Sequence, residues 1–439
     1  MAPVGSRESL AAAINAGADS IYFGIEKLNM RAHSASTFTI ADLKEIAATC
    51  SEHGIKTYLT VNTIIYGEDI EQMHEIIDAA KEANISAVIA SDVAVMMYCQ
   101  KVGQEVHLST QLNISNIEAL RFYAQFADVV VLARELRMDQ VKAIHEQAVA
   151  ENICGPSGQP IRIEMFCHGA LCMAISGKCY LSLHNANRSA NRGECVQICR
   201  RGYKAEAYES SAVYNATDVE TGNELLIDNK YIMSPKDLKT IRFIDKMMDA
   251  GVRVFKIEGR ARGAEYVDTV VRCYREAINA VLHDKAAAAQ AAPAAPATVL
   301  GNSVAKLFTE EAKDAWDERL SRVFNRGFWD GYYQGQTLGE WNNSYGSKAT
   351  EKKVYAAKVI KYFSKIGVAE FQVEAHNIKV GDKLLITGPT TGAMYLDCNE
   401  IRYDLNPVNE ALKGQRISIA VPDKVRPNDK LFILEQINN

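Results

Sequence analysis

No run of apolar residues in this 439-residue chain approaches the roughly 20 needed for a membrane-spanning helix, and no secretory leader opens it. The expectation is a cytoplasmic protein with no membrane partner. Residues 1–5 (MAPVG) read as the end of a strand, which predicts a slightly truncated start. A glycine-rich nucleotide fingerprint is missing, which argues against a doubly wound dinucleotide fold. There is no G-x-S-x-G elbow and no H-E-x-x-H helix; His145-Glu146 is followed by Val149 where a second zinc ligand would be needed. Positive charge is not in excess either. The net charge is −5, so whole-chain charge is no evidence for nucleic acid, although a local basic face would be enough.

What is present is ordinary globular composition, 48% hydrophobic and 23% charged. Compact apolar runs at 20–24, 56–61, 87–90 and 128–132 read as strands buried on both faces. Further strands are expected at 106–108, 161–166 and 254–257. Amphipathic segments at 41–50, 71–83 and 138–150 are the natural crossovers, and a long helix is expected over about 264–282. Gly17 and Gly251 stand where helix ends want a left-handed residue. The recurring unit predicts an α/β fold, a TIM-like barrel of irregular form spanning 1–284, with a cysteine-bearing insertion at 164–204. Residues 285–298 are Ala/Pro-rich and read as a linker, and 299–350 as a connecting segment. From 351 to 439, short alternating runs between Gly, Asp and Asn turns predict a small all-β barrel.

Ten cysteines without an export signal are expected as thiols. Five are scattered; Cys167, Cys172, Cys179, Cys195 and Cys199 crowd into one short stretch. The last four have spacing C-x6-C-x15-C-x3-C. Structural zinc sites use tight knuckles on both sides, and the first pair here is widely spaced, so a soft iron–sulfur core fits better. Zinc and chance packing remain the alternatives. Gly169, Gly177 and Gly193 let the backbone bend closely, and Arg188, Arg192, Arg200, Arg201 and Lys204 can balance thiolate and sulfide charge. Cys167 lies in the strand pattern and is expected beside the cluster rather than on it. The segment begins where a strand ends, which places it at the C-terminal face of the barrel, where such folds work.

The stretch from Glu164 to Ser182 (E-x-F-x-H-G-A-x-C-x4-G-x-C-x-L-S), the R-G-x-C-x3-C-R segment from Arg192 to Arg200 and the K-I-E-G-R motif at Lys256 to Arg260 resemble the U32 family, long catalogued as collagenase-like peptidases. The opening A-P-V-G, the Y-F-G strand end at Tyr22 to Gly24 and the V-F-N-R-G-F phrase at Val323 to Phe328 also look like elements of that family. The resemblance implies a [4Fe–4S] cluster on Cys172, Cys179, Cys195 and Cys199. It also implies oxygen-independent hydroxylation with prephenate as the small-molecule hydroxyl donor. Branches of the family act on transfer-RNA uridine, ribosomal-RNA cytidine or a quinone ring. The x3-spaced second pair and the C-terminal β domain look most like the branch forming 5-hydroxyuridine at the wobble position of tRNA. Peptidase activity, another hydroxylation substrate, and a non-catalytic iron–sulfur RNA-binding role are the alternatives.

Other candidates flank the cluster. His168 is expected to bind a carboxylate or relay a proton, against a structural role. Glu164, Lys256 and Arg260 complete the catalytic candidates; Lys256, Glu258 and Arg260 can clamp a dianion or form an internal ion-pair network. Arg31, Asn62, Gln111 and Glu258 are the expected substrate-binding residues, with Asn29, Thr110 and Asn113 as further polar groups after strands. The Arg- and aromatic-rich stretch 319–333 is expected either to meet RNA or to strap the two domains together. Cys167 and His168 are adjacent in a strand and should point to opposite sides, which disfavours a cysteine-protease pair.

Overall fold

The structure is a computed structural model describing residues 1–32, 38–202, 214–217, 224–227, 233–291, 305–336, 339–344 and 346–437. Strands and helices alternate from the start: β1 (Ala2–Pro3), α1 (Arg7–Asn15), β2 (Ser20–Phe23), α2 (Leu43–Glu52), β3 (Lys56–Val61), α3 (Ile70–Glu82), β4 (Ala87–Ala90), α4 (Val93–Val102), β5 (Val106–Leu108), α5 (Ile117–Tyr123), β6 (Val129–Val131), α6 (Met138–Ala150) and β7 (Arg162–Gly169). The repeat is then interrupted by a short helix α7 (Leu181–Ala186), a hairpin of β8 (Tyr214–Thr217) and β9 (Glu224–Ile227), and β10 (Asp237–Lys239). It resumes with α8 (Ile244–Asp249), β11 (Val252–Ile257) and α9 (Ala264–Ala291).

Strands β1 to β7 pair in order and in parallel, and β11 pairs in parallel with β7. The backbone N–H of Ile257 donates to Met1 O at 3.1 Å, and the Met1 amino group donates to Phe255 O at 2.8 Å. Those bonds join β11 to β1, so eight parallel strands close into a barrel. The sequence dictates this locally. Strands β4 and β6 are apolar and fully buried because helices cover their outer face. In α3, Met73, Ile76, Ile77 and Ala80 form the buried stripe of a 3.6-residue period. Gly17 (φ 79°) and Gly251 (φ 93°) follow helix ends in the left-handed conformation expected of them.

Two expectations need correction. Helix α9 continues to Ala291, so residues 285–291 are helix and not linker; the run K-A-A-A-A-Q-A is strongly helix-forming. The segment 299–350 is more than a connection. Its helix α10 (Glu310–Arg322) packs on α9, and its strand β12 (Phe328–Trp329) pairs with β10, which is itself antiparallel to β7. The aromatic stretch 319–333 accordingly acts as a strap. Trp329 and Tyr333 are buried, and the Tyr333 hydroxyl donates to Phe166 O at 2.9 Å.

The C-terminal region starts at β13 (Glu351–Phe363), a long strand bent by register shifts and shared between β14 (Val368–Val373) and β22 (Lys430–Gln436). With β16 (Lys383–Gly388), β17 (Gly392–Asp397), β18 (Ile401–Tyr403), β19 (Asn406–Val408) and β21 (Arg416–Ala420) it forms an eight-stranded antiparallel sheet in the order β17-β16-β22-β13-β14-β21-β18-β19. The sheet curls around Val359, Phe371, Leu384, Ile401, Ile417 and Leu431. A ribbon of β15 (Ile378–Lys379) and β20 (Glu410–Ala411) lies beside it. Strand β17 packs on α1 and α9: Gly392 (φ 71°) meets the backbone of α1, where an added Cβ would fall 2.7 Å from Ala12 N. Lys353 pairs with Glu265 at 2.8 Å across the same seam.

Candidate active site at the barrel mouth

The barrel strands end on one face, and the chain leaving β7 is folded back over it. Gly169 (φ 104°) makes the turn; a Cβ there would meet Glu258 O at 2.6 Å. Residues 170–202 then cross the mouth. Gly177 (φ 76°) lies against Gln111 and Gly193 (φ 81°) against the backbone oxygen of Asn29, both too close for a side chain. This brings Cys172, Cys179, Cys195 and Cys199 onto the wall of one cavity of about 210 Å³.

Cations from across the barrel line the same cavity. Arg31, Arg134 and Arg260 come from the loops after β2, β6 and β11, and Arg200 from the crossing segment. Arg262 and Arg326 complete the rim, flanking the Phe324 ring at 3.5 and 5.0 Å. Most are held by specific partners. Arg260 donates to Thr60 Oγ1 at 2.8 Å and Asn29 Oδ1 at 3.2 Å, and burial pulls its pKa down to about 10. Arg31 pairs with Glu258 at 3.1 Å. Burial pushes the Glu258 carboxyl up, but Arg31 and Arg262 outweigh it and hold the group below its ordinary value. Arg134 donates to Ser176 Oγ at 2.8 Å and Ala170 O at 3.4 Å, while its buried Nε has no hydrogen-bond partner among the described residues. Arg200 donates to Pro235 O at 2.6 Å, Ser234 Oγ at 3.2 Å and Leu171 O.

These charges act on the sulfurs unequally. Burial raises the Cys172 thiol, but Arg134, Arg31 and Arg200 outweigh it and leave the pKa below its ordinary value. A thiolate there is a better metal ligand than a thiol. Cys199 stays above its ordinary value, because burial exceeds the help from Arg200. Among the described residues, no three His, Cys, Asp or Glu side chains are drawn tightly enough together to hold a single metal ion.

Deeper in the barrel, Lys256 Nζ sits 2.8 Å from Glu164 Oε1, over the rings of Tyr22 (4.8 Å) and Phe166 (5.5 Å). Lys256 lines the cavity. Glu164 does not; it is wholly buried beneath, and its Oε2 has no hydrogen-bond partner among the described residues. On the opposite wall, Asn62 accepts from Met30 N–H at 3.2 Å and donates to Ser109 Oγ at 3.1 Å and Gln111 Oε1 at 3.4 Å.

Of the residues expected from sequence, the four cysteines, Arg31, Asn62, Gln111, Lys256, Glu258 and Arg260 face one cavity, as does Thr110. His168 does not. Its ring is buried among Tyr266, Tyr274 and Phe328 and pulled down to about 3 by burial and the nearby Lys239 charge, with Glu258 opposing. It is held neutral inside the wall. Cys167 is not beside the cysteine set: its thiol donates to Lys256 O at 3.4 Å, is pushed up to about 12 by burial, and borders a cavity at the other end of the barrel. Of the charge-balancing candidates among the described residues, only Arg200 reaches the cavity. Arg192 pairs with Asp69, Arg188 and Arg201 are exposed, and Lys204 lies outside the described residues. Arg134, Arg262, Arg326 and Tyr22 were not anticipated as site residues. Arg134 follows a strand end as Asn62 does, a usable signal; Arg326 is brought in by the strap from far along the chain and carries none.

Residues 5–343 match peptidase family U32. The chain belongs to that family. It is 62% identical over 432 residues to a protein named collagenase from Porphyromonas gingivalis, covering 98% of this chain and 96% of that one. It is 32% identical over 393 residues to tRNA hydroxylation protein P1 of Bacillus subtilis, covering 89% and 83%. Identity to the 23S rRNA 5-hydroxycytidine C2501 synthase of Escherichia coli is 33% over 280 residues, covering 64% of this chain and 39% of that enzyme. Relatives within the family thus carry both protease and RNA-hydroxylation names.

Proposed function

We propose that this U32 protein is an iron–sulfur-dependent, oxygen-independent RNA hydroxylase, forming 5-hydroxyuridine at the tRNA wobble position with prephenate as hydroxyl donor. The observation that carries the proposal is the meeting of four cysteines with Arg31, Arg134, Arg200 and Arg260 in one cavity at the working face of the barrel. Cys172, Cys179, Cys195 and Cys199 would hold a [4Fe–4S] cluster. The donor set suits it: four soft sulfurs, cationic neighbours, and glycines at the close approaches. A single zinc held by the same four thiolates is the alternative occupant. Bound there, the cluster would supply one-electron redox chemistry beside the donor site.

The chain's own groups provide the rest. Guanidinium forks of Arg31, Arg134 and Arg260 suit the two carboxylates of a prephenate dianion. Lys256 places positive charge at the cavity floor, and Glu164 beneath keeps that ammonium oriented. Asn62 and Gln111 present amide groups able to read the edge of a flipped uracil.

Peptidolysis is the second reading, favoured by the name of the Porphyromonas relative. The local chemistry does not favour it. Cys167 has a raised thiol and borders the cavity at the other end of the barrel, and His168 is buried neutral among aromatic rings. The deciding experiment uses anaerobically purified protein. Iron and sulfide near four per chain, with prephenate-dependent 5-hydroxyuridine in tRNA by nucleoside mass spectrometry, are expected. Cys179→Ala should abolish both while RNA binding persists. A metal-free protein that cleaves gelatin as well as its Cys179→Ala variant would overturn the proposal.

A further inference from the structure

The segment that carries the cysteines also has an outer surface. Part of that surface is apolar: Tyr180, next to Cys179 of the cavity wall, is 77% exposed and Leu183 is exposed close by, while Met173 and Ile175 are exposed where they line the cavity. Such exposure on a crossing segment marks an interaction surface rather than a core. Its charge is equally uneven. Residues 170–202 contain Lys178, Arg188, Arg192, Arg200 and Arg201 against a single acid, Glu194, in a chain whose net charge is −5. Arg192 and Arg200 are engaged within the fold, while Lys178, Arg188 and Arg201 are exposed with no acidic partner among the described residues. An exposed aromatic ring on a segment that also carries exposed, uncompensated cations is the chemistry that binds single-stranded nucleic acid, stacking on a base while lysine and arginine meet phosphates. A peptide partner would use the apolar groups but leave the cations unanswered.

We propose that Tyr180 is the stacking platform for a nucleobase adjacent to the one that enters the cavity, and that Lys178, Arg188 and Arg201 hold the phosphates on either side. This rests on the RNA-hydroxylase reading and adds to it how the strand is gripped. It makes Tyr180 a positioning residue, acting through RNA placement and not on the reacting atoms.

The test measures binding and turnover separately with the cluster-loaded protein. An anticodon stem-loop with uridine in the first anticodon position is the probe, followed by fluorescence anisotropy and by nucleoside mass spectrometry. Tyr180→Ala should weaken binding and raise KM for the stem-loop about tenfold, leaving kcat, the KM for prephenate, and iron and sulfide content unmoved. Tyr180→Phe should restore tight binding, because the ring and not the hydroxyl stacks. Lys178→Glu with Arg188→Glu should weaken binding further and flatten its salt dependence. Wild-type binding that is lost in Tyr180→Ala without any hydroxylation would support the platform while overturning the hydroxylase reading. Hydroxylation and binding unchanged in Tyr180→Ala would overturn the platform and leave that reading standing. Tyr180-dependent binding of a collagen peptide without RNA binding would overturn both.

Discussion

At the scale of single residues, the barrel interior carries a charge pair that its surroundings cannot replace with water. Glu164 is wholly buried and Lys256 nearly so, 2.8 Å apart. Removing one partner leaves an uncompensated buried charge, which costs about 3–5 kcal/mol. Glu164→Gln is therefore expected to lower unfolding stability in urea by that order, and Glu164→Leu combined with Lys256→Met to recover most of it without recovering hydroxylation. His168 gives a pH prediction. An unfolded chain titrates this imidazole near 6.5, the fold holds it at about 3, and between those values unfolding takes up a proton. Stability should thus fall as pH drops from about 6.5, by at most about 1.4 kcal/mol per pH unit from this group. Urea midpoints of wild type and His168→Gln between pH 7 and 5 should converge toward the acid end; parallel curves would show that His168 does not carry the dependence.

At the scale of elements, the seam between barrel and C-terminal sheet depends on a backbone approach. Gly392 has positive φ and lies against Ala11 and Ala12 of α1. Gly392→Val should pry β17 from that helix, and thermal unfolding should split from one transition into two, with early proteolysis near the seam. The elements themselves were largely legible. Runs such as V-V-V and A-V-I-A can be buried on both faces only in a covered parallel sheet, and the cysteine segment announced itself by composition. The strap role of 319–333 was one of two readings its aromatics allowed, but its pairing was not legible, because β10 and β12 are too short to show a period and their placement comes from tertiary contact. In the site, Arg260 and Asn62 face the cavity from positions just after strands, a location that sequence does reveal. His168 lies elsewhere because adjacency to a motif does not say which side of a strand a ring takes. The pairing of β7 with β11 shifts register between Phe166 and His168, so simple alternation fails there and the ring turns toward Tyr266 and Tyr274.

At the scale of the whole molecule, charge is distributed against its average. A net charge of −5 coexists with exposed Lys178, Arg188 and Arg201 on the segment that crosses the mouth. If those three groups meet phosphates, the slope of log affinity against log salt for a single-stranded probe should be about −2. A slope near zero would remove phosphate contact by these side chains.

The closure of the barrel also imposes an order of events in synthesis. Met1 is hydrogen-bonded to Phe255 and Ile257 of β11, and α1 is covered by β17, which lies close to the C-terminal end of the chain. A nascent chain emerging from the ribosome must carry α1 with that face bare until β17, far downstream, has been made. Such distant pairings slow folding and leave intermediates prone to association. Expression of this protein should accordingly respond to chaperone supply and to slower translation more strongly than its final stability would suggest.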